Sequence, residues 1–194
     1  MTVSISNTLK KALAAFLVFC MAAVFAGCSS SANNLGPLEM KETDMEKLAK
    51  MMDDKETFTL VVERDECTFC KAMNDYLEKT RSEHPGVYNV YVLNTTDYEL
   101  FRENEGDMTL ISSTEQGKQF LERFPYFLYT PAIYKIEDGK PVDAGIGYDE
   151  NRHTVSNWNV DSTIDWNQAK PVDVWTFLGA AGTSQEASFQ SSAS

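Results

Sequence analysis

The sequence is poor in basic side chains and in histidine, and it has only four cysteines. Lys and Arg together number 17 against 29 Asp and Glu, which gives a formal net charge of −12. A surface this acidic is a poor partner for nucleic acid. The two histidines and four cysteines supply few ligands for a metal ion and too few cysteines for a scaffold of structural disulfides.

The first residues are typical of an export signal. Lys10 and Lys11 precede the apolar run "ALAAFLVFCMAAVFA", and "FAGC" then ends at Cys28. This arrangement resembles a bacterial lipoprotein signal, which implies removal of residues 1–27 and a lipid on Cys28. The alternative is an uncleaved membrane anchor, but residues 12–27 fall short of the roughly 20 residues that a spanning helix needs. The resemblance places the protein at the cell membrane, lipid-anchored, on the extracytoplasmic face.

The remaining chain is expected to hold one domain between two polar segments. Residues 28–36 are small and polar and are predicted to be a tether. Residues 37–184 are predicted to form the domain, and the low-complexity residues 185–194 a disordered tail. Without residues 1–27, which carry two lysines and no acid, the chain has 29 acidic and 15 basic residues.

Two cysteines are left for the domain, because Cys20 lies in the signal and Cys28 is assigned to lipid. Cys67 and Cys70 follow "TFTLVVER", a β-branched run that predicts a buried strand over 57–64, and precede a helical pattern. A helix N-terminus presents unpaired amides and a positive dipole end, which stabilise a thiolate. Cys67 is therefore predicted to be the nucleophile and Cys70 the resolving cysteine.

The flanking patterns alternate between helix and strand. Apolar residues at helical spacing predict a helix that starts near Met45, and "VYNVYVLN" predicts a second strand over 87–94. "QFLERF" predicts a short helix, and "AIYKIE" with "PVDAGIG" predicts a hairpin that turns at Asp138 and Gly139. "DVWTFLGAAG" predicts a closing helix. The polar segment 95–118 and the stretch "DENRHTVSNWNVDSTIDWNQAK" are expected to be insertions, the second of them a loop.

This order of elements resembles the thioredoxin superfamily over roughly residues 40–182. Pro131, Gly139 and Gly147 are eight residues apart, as are the proline and two glycines of thioredoxins. The resemblance implies an α/β fold with a central mixed sheet flanked by helices. It also implies that the Thr130–Pro131 bond is cis, lies against the cysteines and helps to dock the substrate. No cofactor is expected.

The chain departs from thioredoxins around the cysteines. Glu66 stands where thioredoxins have Trp, Thr68 and Phe69 replace Gly-Pro, and Val61 occupies the position of a buried acid. The "ETF…CTFCK" stretch is instead similar to the bacteriocin transport accessory proteins of Gram-positive bacteria.

Three functions are compatible with the CxxC pair, defined as Cys67 and Cys70. The first is a membrane-anchored thiol–disulfide oxidoreductase, a monomer whose partners are protein thiols and disulfides. The second is a transport or assembly accessory module with an inert disulfide. The third is a metal site completed by His84 and His153. The alternatives are that His84 caps a helix and that His153 lies in a loop.

Overall fold

The computed structural model of the chain describes residues 35–179, and its centre is strand β2 (Phe58–Glu63). Phe58, Leu60, Val61 and Val62 of this strand are fully buried. A strand buried on both faces reads as a continuous apolar run, which is why the sequence pattern identified it. The predicted signal peptide, Cys28 and the tail 185–194 lie outside the described residues.

Nine strands, four α-helices and a 3-10 turn make up the described part of the chain. The strands are β1 (Met40–Thr43), β2, β3 (Val90–Asn94), β4 (Leu100–Phe101), β5 (Ile111–Ser112), β6 (Ala132–Glu137), β7 (Lys140–Asp149), β8 (Thr154–Trp158) and β9 (Lys170–Asp173). The helices are α1 (Met45–Asp53), α2 (Thr68–Thr80), α3 (Glu115–Arg123) and α4 (Val174–Leu178), and the 3-10 turn is Thr96–Tyr98.

Seven strands form one mixed sheet in the order β1-β3-β2-β6-β7-β8-β9. β1, β3 and β2 run parallel, whereas β6 to β9 are added by antiparallel pairing. The crossovers between the parallel strands contain α1 and α2. The predicted α/β architecture with a central mixed sheet is confirmed.

Helices cover both faces of this sheet. Leu60 and Val62 point to the face where Leu48 of α1 and Phe120 of α3 complete one buried cluster. Val61 points to the other face and packs with Met73 and Leu77 of α2 and Val174 of α4. This alternation follows from the two-residue period of a strand.

The prediction of a loop after the hairpin was wrong. Part of that stretch forms β8 and β9, which extend the sheet beyond β7, and the buried Val155 anchors β8 to the core. The prediction also missed β1, which lies just before the first helix. In the polar segment 95–118 it missed the 3-10 turn and the two-stranded sheet of β4 and β5.

The other predicted elements are present with shifted ends. α2 ends at Thr80, five residues before Pro85, and α3 begins at Glu115, earlier than the predicted helix. Between residues 35 and 179, no helix is both long and apolar enough to cross a membrane.

Candidate functional site

The CxxC pair lies where β2 gives way to α2. Cys67 is the N-cap residue of α2, and its Sγ accepts a hydrogen bond from the backbone amide of Cys70 at 3.1 Å. The two cysteines form a disulfide, with their Cα atoms 5.2 Å apart. The amides at a helix start have no partner within the helix, so they are available to a sulfur at this position.

The two sulfur-bearing residues differ in exposure. Cys70 is only 3% exposed, whereas Cys67 is partly exposed and lines two surface cavities. Cys70 lies three residues after Cys67, so its side chain lies over the preceding turn and faces the core side of α2. An approaching molecule can therefore reach Cys67 and not Cys70.

Thr130 and Pro131 lie against the CxxC pair. The Thr130–Pro131 peptide bond is cis, and Thr130 Oγ1 donates a hydrogen bond to Cys67 Sγ at 3.4 Å. The backbone of Gly147 fixes this loop by donating to the Pro131 carbonyl at 2.8 Å. The predicted cis bond and its place beside a cysteine are confirmed, and the docking role stays a prediction.

The turn before Cys67 is held by the end of β3. The Asp65 amide donates to Thr96 Oγ1 at 2.7 Å, and the Asp65 carboxylate accepts from Asn94 at 2.8 Å. Glu66 then adopts a left-handed backbone with φ of 57°, which is unfavourable for a residue with a side chain. Lys71, a candidate positive neighbour of the thiolate, forms an ion pair with Asp75 instead.

Glu63 is a titratable group beside the CxxC pair that the sequence analysis missed. It borders a cavity of about 430 Å³ together with Cys67, Cys70 and Asn74. Burial raises the pKa of the Glu63 carboxyl, and a 2.9 Å hydrogen bond from the Asn74 amide opposes the rise. Among the described residues, Asn74 Oδ1 is buried without a hydrogen-bond partner.

The strand period is the signal that could have identified Glu63. The sequence analysis examined only Val61, the position of the acid in thioredoxins. Side chains two residues apart in a strand share a face, so Glu63 lies on the α2 face like Val61 and closer to the cysteines. The Asn74 contact of Glu63, made to a residue of α2, agrees with this placement.

A cleft of about 960 Å³ opens beside Cys67, and we call it the Cys67 cleft. One wall is the turn from Arg64 to Phe69, and the facing wall runs from Glu99 to Arg102 and includes β4. Residues 127–130 of the cis-proline loop also line it. This cleft was not predicted, because one of its walls belongs to the polar segment 95–118, which was expected to be an insertion.

The histidines occupy other surroundings. The His84 ring stacks on Trp175 at 4.6 Å, and the His153 ring stacks on Tyr76 at 3.8 Å. His153 Nδ1 also shares a 2.9 Å hydrogen bond with the Tyr148 hydroxyl. In residues 35–179, no three His, Cys, Asp or Glu side chains come together in a way that could hold a metal ion.

Comparison with known proteins finds similarity only among solved structures. No family model matches the chain, and no curated protein matches it. A thioredoxin from Malassezia sympodialis aligns over 62% of this chain and 89% of its own, with 11% identity and a TM-score of 0.39. Thioredoxin f from spinach chloroplast aligns over 59% of this chain and 84% of its own, with 16% identity and a TM-score of 0.36.

The assignment of the fold depends on topology and not on these low scores. The parallel β2–α2–β3 unit, the CxxC pair at the start of α2 and the cis proline directly before the β6–β7 hairpin are the arrangement that the sequence resemblance implied. β8 and β9 are additions to one edge. The chain has a thioredoxin-like fold with a CxxC disulfide at the start of α2.

Proposed function

We propose that the protein is a thiol–disulfide oxidoreductase that works through the CxxC pair. The observation that carries this proposal is the unequal exposure of the two cysteines at a helix N-terminus. A partner can attack Cys67, while the nearly inaccessible Cys70 is reserved for the second step. An inert structural disulfide has no need for this asymmetry.

The reaction exchanges two electrons and two protons. A thiolate of a protein dithiol attacks Cys67 Sγ, the Cys67–Cys70 bond breaks, and Cys70 leaves as a thiolate that takes up a proton. The second thiolate of the partner then attacks its own sulfur in the mixed disulfide and releases Cys67. The products are a partner disulfide and a reduced CxxC pair, and the reverse sequence reduces a partner disulfide.

Three neighbours serve this chemistry. The amides of the α2 N-terminus and the Thr130 hydroxyl stabilise negative charge on Cys67. Glu63 borders the same cavity as Cys70, and its carboxyl, whose pKa is raised by burial, gives a proton to the Cys70 thiolate and later takes one back.

Trapping of mixed disulfides tests the proposal. In Cys70→Ser the Cys67 thiolate can still attack a partner disulfide, but the cysteine that would resolve the mixed disulfide is lost, so covalent complexes with disulfide-bonded proteins should accumulate and disappear on reduction. The matched Cys67→Ser variant should trap few or none. Equal trapping by both variants, or no trapping by either, contradicts the mechanism and favours the accessory module.

We also propose that the protein is anchored outside the cytoplasm by a lipid on Cys28. The support for this is the "FAGC" sequence behind a short apolar run. Cys28→Ser should prevent lipidation, so the protein should either be released from membranes or keep residues 1–27. Membrane retention of a processed Cys28→Ser protein would contradict the lipid anchor.

A further inference from the structure

Exposed aromatic rings gather at the Cys67 cleft. Phe69 is 53% exposed and Phe101 is 46% exposed, and these two side chains belong to the two facing walls. Leu100, Leu110 and Tyr129 add apolar surface between them. Exposed apolar residues that cluster in a groove mark a binding surface more often than scattered ones do.

The wall that carries Phe101 is fixed to the rest of the fold. Ser112 Oγ donates to the Tyr98 carbonyl at 2.6 Å, which closes the base of the β4–β5 sheet. Arg102 Nη2 donates to the Tyr129 hydroxyl at 3.0 Å, and the Arg102 guanidinium lies 5.4 Å from the centre of the Tyr129 ring. This wall is therefore tied directly to the loop that holds Thr130 beside Cys67.

The segment that contains this wall is acidic, although Glu99 is its only carboxylate that lines the cleft. The segment 97–107 contains five carboxylates and one cation, and that cation, Arg102, is directed toward Tyr129. Within residues 35–179, Arg102 forms no ion pair. The carboxylates belong to Asp97, Glu99, Glu103, Glu105 and Asp107. On the facing wall Asp65 and Glu66 outnumber Arg64, so both sides of the cleft attract a positively charged partner.

We propose, on the basis of the oxidoreductase function above, that the Cys67 cleft binds an extended segment of an unfolded client protein. The segment carries a cysteine for exchange with Cys67, an aromatic or large aliphatic residue next to it, and lysine or arginine further along. The apolar residue packs between Phe69 and Phe101, and the basic residues face the acidic wall. In a folded client such an apolar residue is buried, so the cleft selects clients before they fold.

Four dithiol peptides test this specificity. They share one sequence with two cysteines, carry either Phe or Ser beside the first cysteine, and carry either two Lys or two Glu beyond it. The full chain with its CxxC pair oxidised is mixed with each peptide, and the second-order rate constant of peptide disulfide formation is measured. Dithiothreitol, which is too small to span the cleft, serves as the reference dithiol.

The Phe peptide with lysines should react fastest. Replacing its Phe by Ser should slow exchange about tenfold, since the ring loses apolar contact with the walls. Replacing its lysines by glutamates should slow exchange about threefold to tenfold at low salt, and 1 M NaCl should remove most of this difference.

Two pairs of variants locate the effect. Phe101→Ser should remove the preference for the Phe peptide, whereas Val142→Ser, at a site outside the cleft that is also 46% exposed, should not. The double substitution Glu103→Gln with Glu105→Gln, directly after the wall that ends at Arg102, should reduce the preference for lysine. The matched pair Glu39→Gln with Glu42→Gln, on exposed residues outside the cleft, should leave it unchanged. The two control proteins, Val142→Ser and the Glu39→Gln with Glu42→Gln pair, should react with dithiothreitol at the rate of the unmodified chain.

The outcomes separate this inference from the function on which it rests. Equal rates for the four peptides, or an equal loss of peptide preference in the test and control variants, would overturn the client specificity. If the chain still reacts with dithiothreitol in that case, the oxidoreductase function stands. If the oxidised chain exchanges with none of the peptides and not with dithiothreitol, the oxidoreductase itself is wrong.

Discussion

The Thr130 hydroxyl gives a direct test of how the fold tunes Cys67. Thr130→Val replaces the hydroxyl that lies 3.4 Å from Cys67 Sγ with a methyl group of similar size. The side chain is partly buried, so little packing changes. The variant removes one hydrogen-bond donor from the sulfur and leaves the helix N-terminus intact.

The size of the effect follows from the charge of the acceptor. A hydrogen bond to a charged group contributes about 1.5–3 kcal/mol and one between neutral groups about 1 kcal/mol. The hydroxyl thus favours the thiolate over the thiol by about 1.4 kcal/mol, which corresponds to about one pKa unit. Thr130→Val should raise the pKa of Cys67 in the reduced protein by about that amount.

Alkylation of the reduced chain by iodoacetamide, followed at Cys67 by peptide-resolved mass spectrometry across pH, measures this change. Well below the pKa the variant has about tenfold less thiolate, but its thiolate is about threefold more nucleophilic. The variant should therefore react about threefold more slowly at low pH and about threefold faster at high pH. The two rate profiles should cross.

Thr130→Ser is the matched control, because it keeps the hydroxyl and should retain the profile of the unmodified protein. Profiles of Thr130→Val that do not cross, or a Cys67 pKa that stays the same or falls, would refute the argument that this hydroxyl stabilises the thiolate.

Three further predictions concern stability. Because the pKa of Glu63 is raised by burial, its contribution to stability is full below the ordinary glutamate pKa and declines as pH rises through the folded-state value. Glu63→Gln should thus increase the free energy of unfolding at neutral pH but not near pH 3. Denaturant titrations at both pH values measure this effect, and an equal change at both would contradict a raised pKa of Glu63. Reducing the disulfide, which closes a very short loop, should cost about 2 kcal/mol, and a loss above about 4 kcal/mol in urea titrations would indicate a structural bridge instead. Gly139→Ala should destabilise the fold by about 2 kcal/mol or more, since φ is +74° and an added Cβ would meet the Met52 carbonyl oxygen at 1.9 Å. Gly36→Ala is the control, because a Cβ there meets nothing within 4 Å, and its thermal midpoint should not move.

The centre of the fold could be predicted because its signals are local. The β-branched run before Cys67 and the amphipathic helix after it fix the β2–α2 unit, and the position of the CxxC pair follows from that unit. The cis proline was predicted from the family resemblance, because Pro131 considered without Cys67 and Cys70 favours an ordinary trans proline at the start of an edge strand.

The missed strands depend on distant partners. β1 has the sequence "MKET", with two charged residues in four, and it forms because Met40 to Thr43 pair with Val90 to Leu93 about 50 residues away. β9 contains Pro171, and proline disfavours the prediction of a strand. It is tolerated there because, within residues 35–179, β9 pairs only with β8.

Glu63 and the Cys67 cleft were missed for a different reason. The pKa of a carboxyl depends on its burial, which for Glu63 is decided by Asn74 and the packing of α2. The cleft is formed by segments far apart in sequence, from Arg64 to Thr130. The pattern of residue types along one segment does not show which distant segments will lie beside it in the fold.

The edge strands of the seven-stranded sheet matter for a protein that is proposed to bind unfolded chains. An unpaired edge strand can form backbone hydrogen bonds with any extended polypeptide and can thereby start aggregation. Here β1 and β9, the outermost strands, have four residues each and carry charges, and β9 also contains a proline. If the protein binds unfolded clients as proposed, these edges would discourage a client from pairing with the sheet as an additional strand, so binding at Cys67 would not start aggregation on the sheet.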